Sequence, residues 1–180
     1  NVTALSVGLS HICAITNNRV KCWGDNQYFQ LDIPELVNPS AISSGNNHNC
    51  AIDDEGVKCW GTNKRKQLEV PENLGEAKKI ATGTFHSCAA TDKGIICWGS
   101  NVNKQLEAPK LANEISYLSA GTIKSCAVHE QGFNCWGEIL GGYEFHAPEN
   151  VTNPDQIVYS VYHACALTKG KVECFGRNED

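Results

Sequence analysis

A histidine stands two residues before a cysteine four times in this chain: His11-Ile12-Cys13, His48-Asn49-Cys50, His86-Ser87-Cys88 and His163-Ala164-Cys165. In a fifth copy Lys124 takes the place of the histidine ahead of Cys126. Three chemistries use such neighbours. An imidazole can activate a thiol nucleophile, but that requires a lowered thiol pKa in one specialised pocket. A zinc ion could bind His48, Cys50 and Cys59, yet five copies of a three-ligand site match no usual zinc spacing. The third chemistry is oxidation to disulfides. Each first cysteine has a second one nine positions later: Cys22, Cys59, Cys97, Cys135 and Cys174. Together the pairs use all ten cysteines. Five equivalent units are the product of a structural repeat, so no enzyme, metal or cofactor is expected. Paired carboxylates and phosphate-binding glycine loops are also not evident.

The cysteines must be positioned by hairpins. Between each pair lie turn residues: Asn17-Asn18, Asp54-Glu55-Gly56, Asp92-Lys93-Gly94, Glu130-Gln131-Gly132 and Lys169-Gly170. Apolar and polar residues alternate on both sides, as in Ala51, Val57 and Cys59, which is a β-hairpin signature. Cysteines placed symmetrically about a tight turn fall opposite each other, with Cβ atoms about 4.5–5.5 Å apart, close to disulfide geometry. The expected bridges are Cys13–Cys22, Cys50–Cys59, Cys88–Cys97, Cys126–Cys135 and Cys165–Cys174. A glycine bulge would shift this register by one residue. Five pairs of reduced thiols are the competing reading.

First cysteines recur at separations of 37, 38, 38 and 39 residues, so the chain is a stack of supersecondary units. The repeats run over about 1–36, 37–73, 74–112, 113–151 and 152–180, and form one repeat domain over 1–180. Each opens on a short alternating strand such as Ala4–Val7 or Lys79–Thr82. Gly8, Gly45, Gly83 or Gly121 follows, a turn position where positive φ would favour glycine; Ser160 stands there in the fifth repeat. Two variable residues and the histidine position come next, then the two cysteine strands. The second of these ends in Cys-Trp-Gly at Trp23, Trp60, Trp98 and Trp136, and in Cys-Phe-Gly at Phe175. A tryptophan needed in every repeat is a packing residue, and each histidine is expected to hydrogen-bond neighbouring backbone or a loop. Gln30-Leu31, Gln67-Leu68 and Gln105-Leu106 lie seven residues past their Trp, and Pro34, Pro71, Pro109 and Pro148 end the connectors. No helical period stands out. An all-β chain with three or four strands per unit, none able to bury its own faces, makes a propeller.

Ten cysteines in 180 residues point to an oxidising compartment. No apolar run approaches the roughly 20 residues of a membrane span. The sequence begins at Asn1 and has no Met, as expected of a processed product or an excised segment. Net charge is −5 and the only basic cluster is Lys64-Arg65-Lys66, read as a solvated loop tip. Neither feature suggests nucleic acid.

Segments such as Ser44-Gly45-Asn46-Asn47-His48-Asn49-Cys50-Ala51 and Cys59-Trp60-Gly61-Thr62-Asn63 through Gln67-Leu68 resemble the regulator of chromosome condensation repeat. They are most similar to its short secreted bacterial form, in which Cys-Trp-Gly replaces Trp-Gly. The resemblance covers nearly the whole chain. It departs in repeat 4, which has Lys124 for His, Ile139 for Asn and no Gln-Leu, and in repeat 5, which lacks Gln-Leu. It implies a binding propeller. The family includes a nucleotide-exchange factor acting on a small GTPase, a secreted inhibitor of β-lactamases, and surface proteins. Its propellers usually have seven blades. The ends of this chain suit a closed ring of five and suit equally an arc of a larger ring; closure is the expectation adopted.

Antiparallel strands alternate their turns between two ends, so the Gly-x-x-His turns and the loops after Trp-Gly share one face. Tyr28, Phe29, Phe85, Ile123, Tyr143, Phe145 and Tyr162 converge there beside Asn46, Asn47, Thr84 and His146. Such clusters favour recognition of protein or sugar. The expected function is a secreted, cell-surface or periplasmic adhesion module that binds a protein or glycan through this face. The second reading is an inhibitor that plugs a secreted enzyme. Repeat 4, with its Gly141-Gly142 and aromatic loop, is the expected centre. Asn1-Val2-Thr3 and Asn150-Val151-Thr152 also match the N-glycosylation sequon.

Overall fold

The computed structural model describes residues 1–111, 114–138, 147–149 and 151–177. Among the described residues, fifteen strands form five three-stranded antiparallel sheets in chain order. Blade 1 is β1 (Val2–Val7), β2 (His11–Thr16) and β3 (Arg19–Gly24); blade 2 is β4 (Ala41–Ser44), β5 (His48–Asp53) and β6 (Gly56–Gly61). Blade 3 is β7 (Ala77–Thr82), β8 (His86–Thr91) and β9 (Gly94–Gly99); blade 4 is β10 (Ile115–Ala120), β11 (Ser125–His129) and β12 (Gly132–Trp136). Blade 5 is β13 (Gln156–Tyr159), β14 (His163–Thr168) and β15 (Lys171–Gly176). Among the described residues no helix is long and apolar enough to cross a membrane.

The hairpin register sets the cysteines face to face without a bulge, at Cys13↔Cys22, Cys50↔Cys59, Cys88↔Cys97, Cys126↔Cys135 and Cys165↔Cys174. All five pairs are disulfide-bonded, with Cα atoms 4.0–4.1 Å apart. Successive strand residues point to opposite faces. Each blade therefore has a forward face with the disulfide, joined by the histidine except in blade 4, and a back face with the tryptophan or, in blade 5, Phe175.

The core lies between blades. Forward-face Cys50, Ile52, Val57 and Cys59 of blade 2 pack on back-face Ile80, Ala89 and Trp98 of blade 3, sealed by Val70 and Leu74 of the connector. The same arrangement joins blades 1 and 2 around Cys13, Ala51 and Trp60, blades 3 and 4 around Cys88, Leu118 and Trp136, and blades 4 and 5 around Cys126, Ile157 and Ala166. Burying a side chain of Trp or Ile size in this way contributes about 1.5–3 kcal/mol.

Two expectations need correction. Gly8, Gly45, Gly83 and Gly121 are not among the residues with positive φ. They are glycine for lack of room: a Cβ on Gly8 would lie 2.5 Å from the Gly45 carbonyl oxygen and against the His11 ring, and Gly45, Gly83 and Gly121 abut the next blade's carbonyl in the same way. Positive φ belongs instead to the glycine after each aromatic, from 97° at Gly137 to 117° at Gly176.

The second correction concerns closure. Among the described residues, the interface that joins consecutive blades is not repeated between blade 5 and blade 1. Trp60, Trp98 and Trp136 are 5–7% exposed, whereas Trp23 is 49% exposed. At the other end the blade 5 disulfide loses its cover: Cys174 is exposed and Cys165 half-buried, while Cys13, Cys50, Cys88 and Cys126 are fully buried. Among the described residues no neighbouring blade packs on the tryptophan of blade 1 or the disulfide of blade 5, so the five blades form an arc. Access to sulfur controls thiol exchange. Mild reduction with alkylation and mass mapping is therefore expected to label Cys165 and Cys174 before any other cysteine. Uniform labelling of all five pairs would contradict this assignment.

Candidate functional site

Counting turns places the loops correctly. In blades 1, 2, 3 and 5 the chain after Trp-Gly or Phe-Gly hydrogen-bonds the Gly-x-x-His turn of its own blade: the amides of Asp25, Thr62, Ser100 and Arg177 donate to the carbonyls of Ser10, Asn47, Phe85 and Tyr162, at 2.8–2.9 Å, whereas the Glu138 amide of blade 4 donates to the Asn103 carbonyl in the loop of blade 3 at 2.6 Å. Hairpin tips bond the connectors at the other end, as in Asp54 N–H to the Val37 carbonyl, 2.9 Å.

The loops after Trp-Gly in blades 1 to 3 share one frame. Asn26, Asn63 and Asn101 accept, through Oδ1, the amides of Leu31, Leu68 and Leu106 at 2.8–3.0 Å. The buried Gln30, Gln67 and Gln105 accept, through Oε1, the amides of Tyr28, Arg65 and Asn103 at 2.6–2.7 Å. Phe29, Lys66 and Lys104 take positive φ, at 62°, 65° and 56°. Between these fixed points stand three residues, of which the first two differ in every copy and the third is Phe once and Lys twice: Gln27-Tyr28-Phe29, Lys64-Arg65-Lys66 and Val102-Asn103-Lys104.

The frame brings several of the expected residues together. Lys64 Nζ lies 5.2 Å from the centre of the Tyr28 ring, and the Arg65 guanidinium lies 6.0 Å from that of Phe85. Three adjacent blades thus build one cation–aromatic cluster. Phe29 is 65% exposed and Phe85 43%. Tyr162, also exposed, stands on blade 5 with the Arg177 guanidinium 5.8 Å from its ring. Ile123, Asn46 and Asn47 are half-buried. Thr84 is buried, and its amide donates to the Gly121 carbonyl at 3.3 Å. The Asn47 carbonyl is taken by Thr62, while Asn46 helps line an axial cavity of about 260 Å³ with Leu9, Thr84, Thr122 and Ser160. Tyr143, Phe145, His146 and Ile139 lie outside the described residues.

Lys64 and Arg65 are functional candidates that the sequence reading left out. Both are exposed, as a loop tip should be, but they sit on the aromatic face. Exposed cation–π pairs of this kind are worth about 0.5–1 kcal/mol, so they order the aromatics without burying them.

The histidines do not serve this surface. Rather than bonding backbone, three of the four reach the next blade's side chain: His11 Nε2 to Asn49 Oδ1 at 2.7 Å, His48 Nε2 to Ser87 Oγ at 3.0 Å, and His86 Nε2 to Ser125 Oγ at 2.7 Å, while His163 of blade 5 is exposed. Asn49 can only accept through that oxygen, so His11 Nε2 carries the proton and donates. Burial holds His48 down to about 3, with His86 and His11 adding repulsion, and holds His86 down to about 4. Among the described residues no group of three His, Cys, Asp or Glu could hold a metal ion.

A model of the regulator of chromosome condensation (RCC1) repeat matches residues 2–30, 40–67 and 77–105. No curated protein matches. Among solved structures, the entire ectodomain of the receptor kinase CR4 from Physcomitrella patens is 25% identical, with a TM-score of 0.74, over 97% of this chain and 50% of that one. Prp20p from Saccharomyces cerevisiae, described with its binding to Gsp1p and histones, is 20% identical over 97% of this chain and 58% of its own, with a TM-score of 0.76. Human WBSCR16 is 17% identical over 98% and 62%, with a TM-score of 0.81. The latter two likenesses concern the fold alone. The chain spans half to about three fifths of the length of these structures.

The buried histidines give a pH prediction. A folded pKa below the ordinary 6.5 means that the unfolded chain binds the proton more readily. Stability is complete above pH 6.5 and is lost as pH falls toward 4, at about 1.4 kcal/mol per pH unit for each histidine. The melting temperature is expected to drop between pH 7 and 4.5. The double variant His48→Gln, His86→Gln, whose amide keeps a donor near Nε2, should flatten that drop. Superimposable pH profiles would refute the role assigned to these rings.

Proposed function

This chain is a propeller built of RCC1-type repeats, and we propose that it works as an extracellular recognition module that binds a protein through the loop face of blades 1 to 3. The observation that carries this reading is the cluster of Tyr28, Lys64, Arg65 and Phe85, held at the surface by two copies of one hydrogen-bonded loop and by the Gly-x-x-His turn of blade 3. Tyr and Arg are the residue types that dominate binding energy at protein interfaces. A frame fixed by Asn and Gln limits the ordering cost of association. The basic loop on a chain of net charge −5 suits an acidic patch on the partner.

Five disulfides agree with an oxidising, extracellular setting, and the structural likeness to a receptor-kinase ectodomain points the same way. Prp20p is described as binding other proteins, which favours binding over catalysis as the use of the scaffold.

The test is a triple variant, Tyr28→Ala, Arg65→Ala and Phe85→Ala. The immobilised protein is first presented with a panel of extracellular proteins and with a glycan array. Hot-spot losses of about 2 kcal/mol or more predict at least a thirtyfold weaker protein ligand for the variant. Its melting temperature should fall only slightly, since Arg65 and Phe85 are exposed, where substitutions change stability by about 0.5 kcal/mol each, and Tyr28 is half-buried. Unchanged affinity, or binding to glycans alone, would contradict the proposal.

A further inference from the structure

The turn after the first strand of each blade serves two surfaces. In blades 1 to 4 its first variable residue, Leu9, Asn46, Thr84 or Thr122, lines the axial cavity of about 260 Å³. Its second variable residue lies off that wall, and in blade 3 it is Phe85 of the cation–aromatic cluster. Thr84 and Phe85 are consecutive, so the cavity adjoins the surface assigned to recognition. The wall is polar and uncharged. The chain carries fifteen Lys or Arg and twenty Asp or Glu, yet none of them lines the cavity. Tyr159 is the one ionisable side chain there, and burial pushes its hydroxyl above the ordinary value, which keeps it neutral.

The fold leaves part of this wall unsatisfied. Thr82, the last residue of β7, bonds Ser43 Oγ through its Oγ1 at 2.9 Å. Ser44 holds the same position at the end of β4, lines the cavity and is 8% exposed, but its Oγ has no hydrogen-bond partner among the described residues. A buried hydroxyl in that state is destabilising, and buried polar groups are otherwise almost always paired. Ser44, Asn46, Thr84 and Thr122 belong to blades 2 to 4, each packed between two others. This part of the wall is independent of both ends of the chain.

We propose that the axial cavity receives one uncharged hydrogen-bonding side chain, an amide or a hydroxyl, from the protein partner, an inference that rests on the recognition role assigned to the loop face. An ionised side chain would be buried with no counter-charge on the wall, which is strongly disfavoured. An aliphatic one would leave Ser44 Oγ unpaired. An amide or hydroxyl both donates and accepts, as do the Asn46 amide and the Ser44, Thr84 and Thr122 hydroxyls around it. Size sets the rest. The cavity falls below the roughly 300–1,000 Å³ of pockets that enclose a whole small molecule, so it takes one side chain rather than a free metabolite.

The experiment uses propionamide as the side-chain probe. It is titrated into isotope-labelled protein and followed by NMR at the Asn46 side-chain amide and the Thr84 and Thr122 methyl groups. The expected result is a saturable shift of these signals, with none from acetate or methylammonium, which carry charge. Ser44→Ala and Thr84→Val should each weaken the probe about fivefold, the loss of one uncharged hydrogen bond. The melting temperature of Ser44→Ala without probe should be no lower than that of the original chain, because the substitution removes an unpaired buried hydroxyl. Absence of a saturable shift overturns the proposal, as do equal shifts with acetate or unchanged probe affinity in both variants. Tighter binding of glucose than of propionamide also overturns it, because the occupant is then a sugar. The titration needs no protein partner, so its failure is distinct from failure of the loop-face reading, which the Tyr28, Arg65 and Phe85 variant tests.

Discussion

One backbone carbonyl holds each of the first three joints between blades together. The Gln30 carbonyl accepts from Asn49 Nδ2 at 2.8 Å and from Trp60 Nε1 at 3.0 Å; the Gln67 carbonyl accepts from Ser87 Oγ at 3.1 Å and from Trp98 Nε1 at 2.9 Å. Both donors come from the back face of the next blade, and both lone pairs of the carbonyl are used. The donors are buried, so without this acceptor each would carry a desolvation penalty of about 1–3 kcal/mol. The position of the carbonyl is set by its own side chain, which ties the loop to an amide two residues earlier. A fully buried glutamine is thus the pivot on which the disulfide of one blade meets the tryptophan of the next.

This joint explains how stability and recognition coexist on one loop. Gln and Asn fix its ends, and the interface depends on a main-chain atom that any neighbouring sequence leaves intact. The three residues between are free to differ, and they do: aromatic in blade 1, cationic in blade 2, mixed in blade 3. Repeat proteins distribute stability over nearest-neighbour contacts. Here each contact spares the outward positions of the loop that makes it, so the surface can vary without cost to the core.

The period, the strands and the cysteine pairing were legible because each is local: nine residues about a tight turn determine what faces what. The shared face of the loops was legible too, from the parity of antiparallel strands. What escaped lies between blades. His11 and Asn49 are 38 residues apart, and only the angle between blades brings them within 2.7 Å. Gly8 and Gly45 read as turn glycines, but the pressure against a side chain comes from the next blade's carbonyl. Lys64 and Arg65 read as a solvated tip until the adjacent blades set Tyr28 and Phe85 beneath them. Trp23 has the local sequence of the buried tryptophans, and its exposure reflects only what stands behind it.

Four indole N–H groups report on the joint in a single experiment. In a nitrogen-15 NMR spectrum, hydrogen exchange at Trp60, Trp98 and Trp136 should be slowed at least about a thousandfold, since a buried bonded donor exchanges only by opening. Trp23, on the open face, should exchange at the rate of a free indole. Four indoles exchanging alike, whether fast or slow, would contradict the account of a glutamine carbonyl clamping each blade to the next.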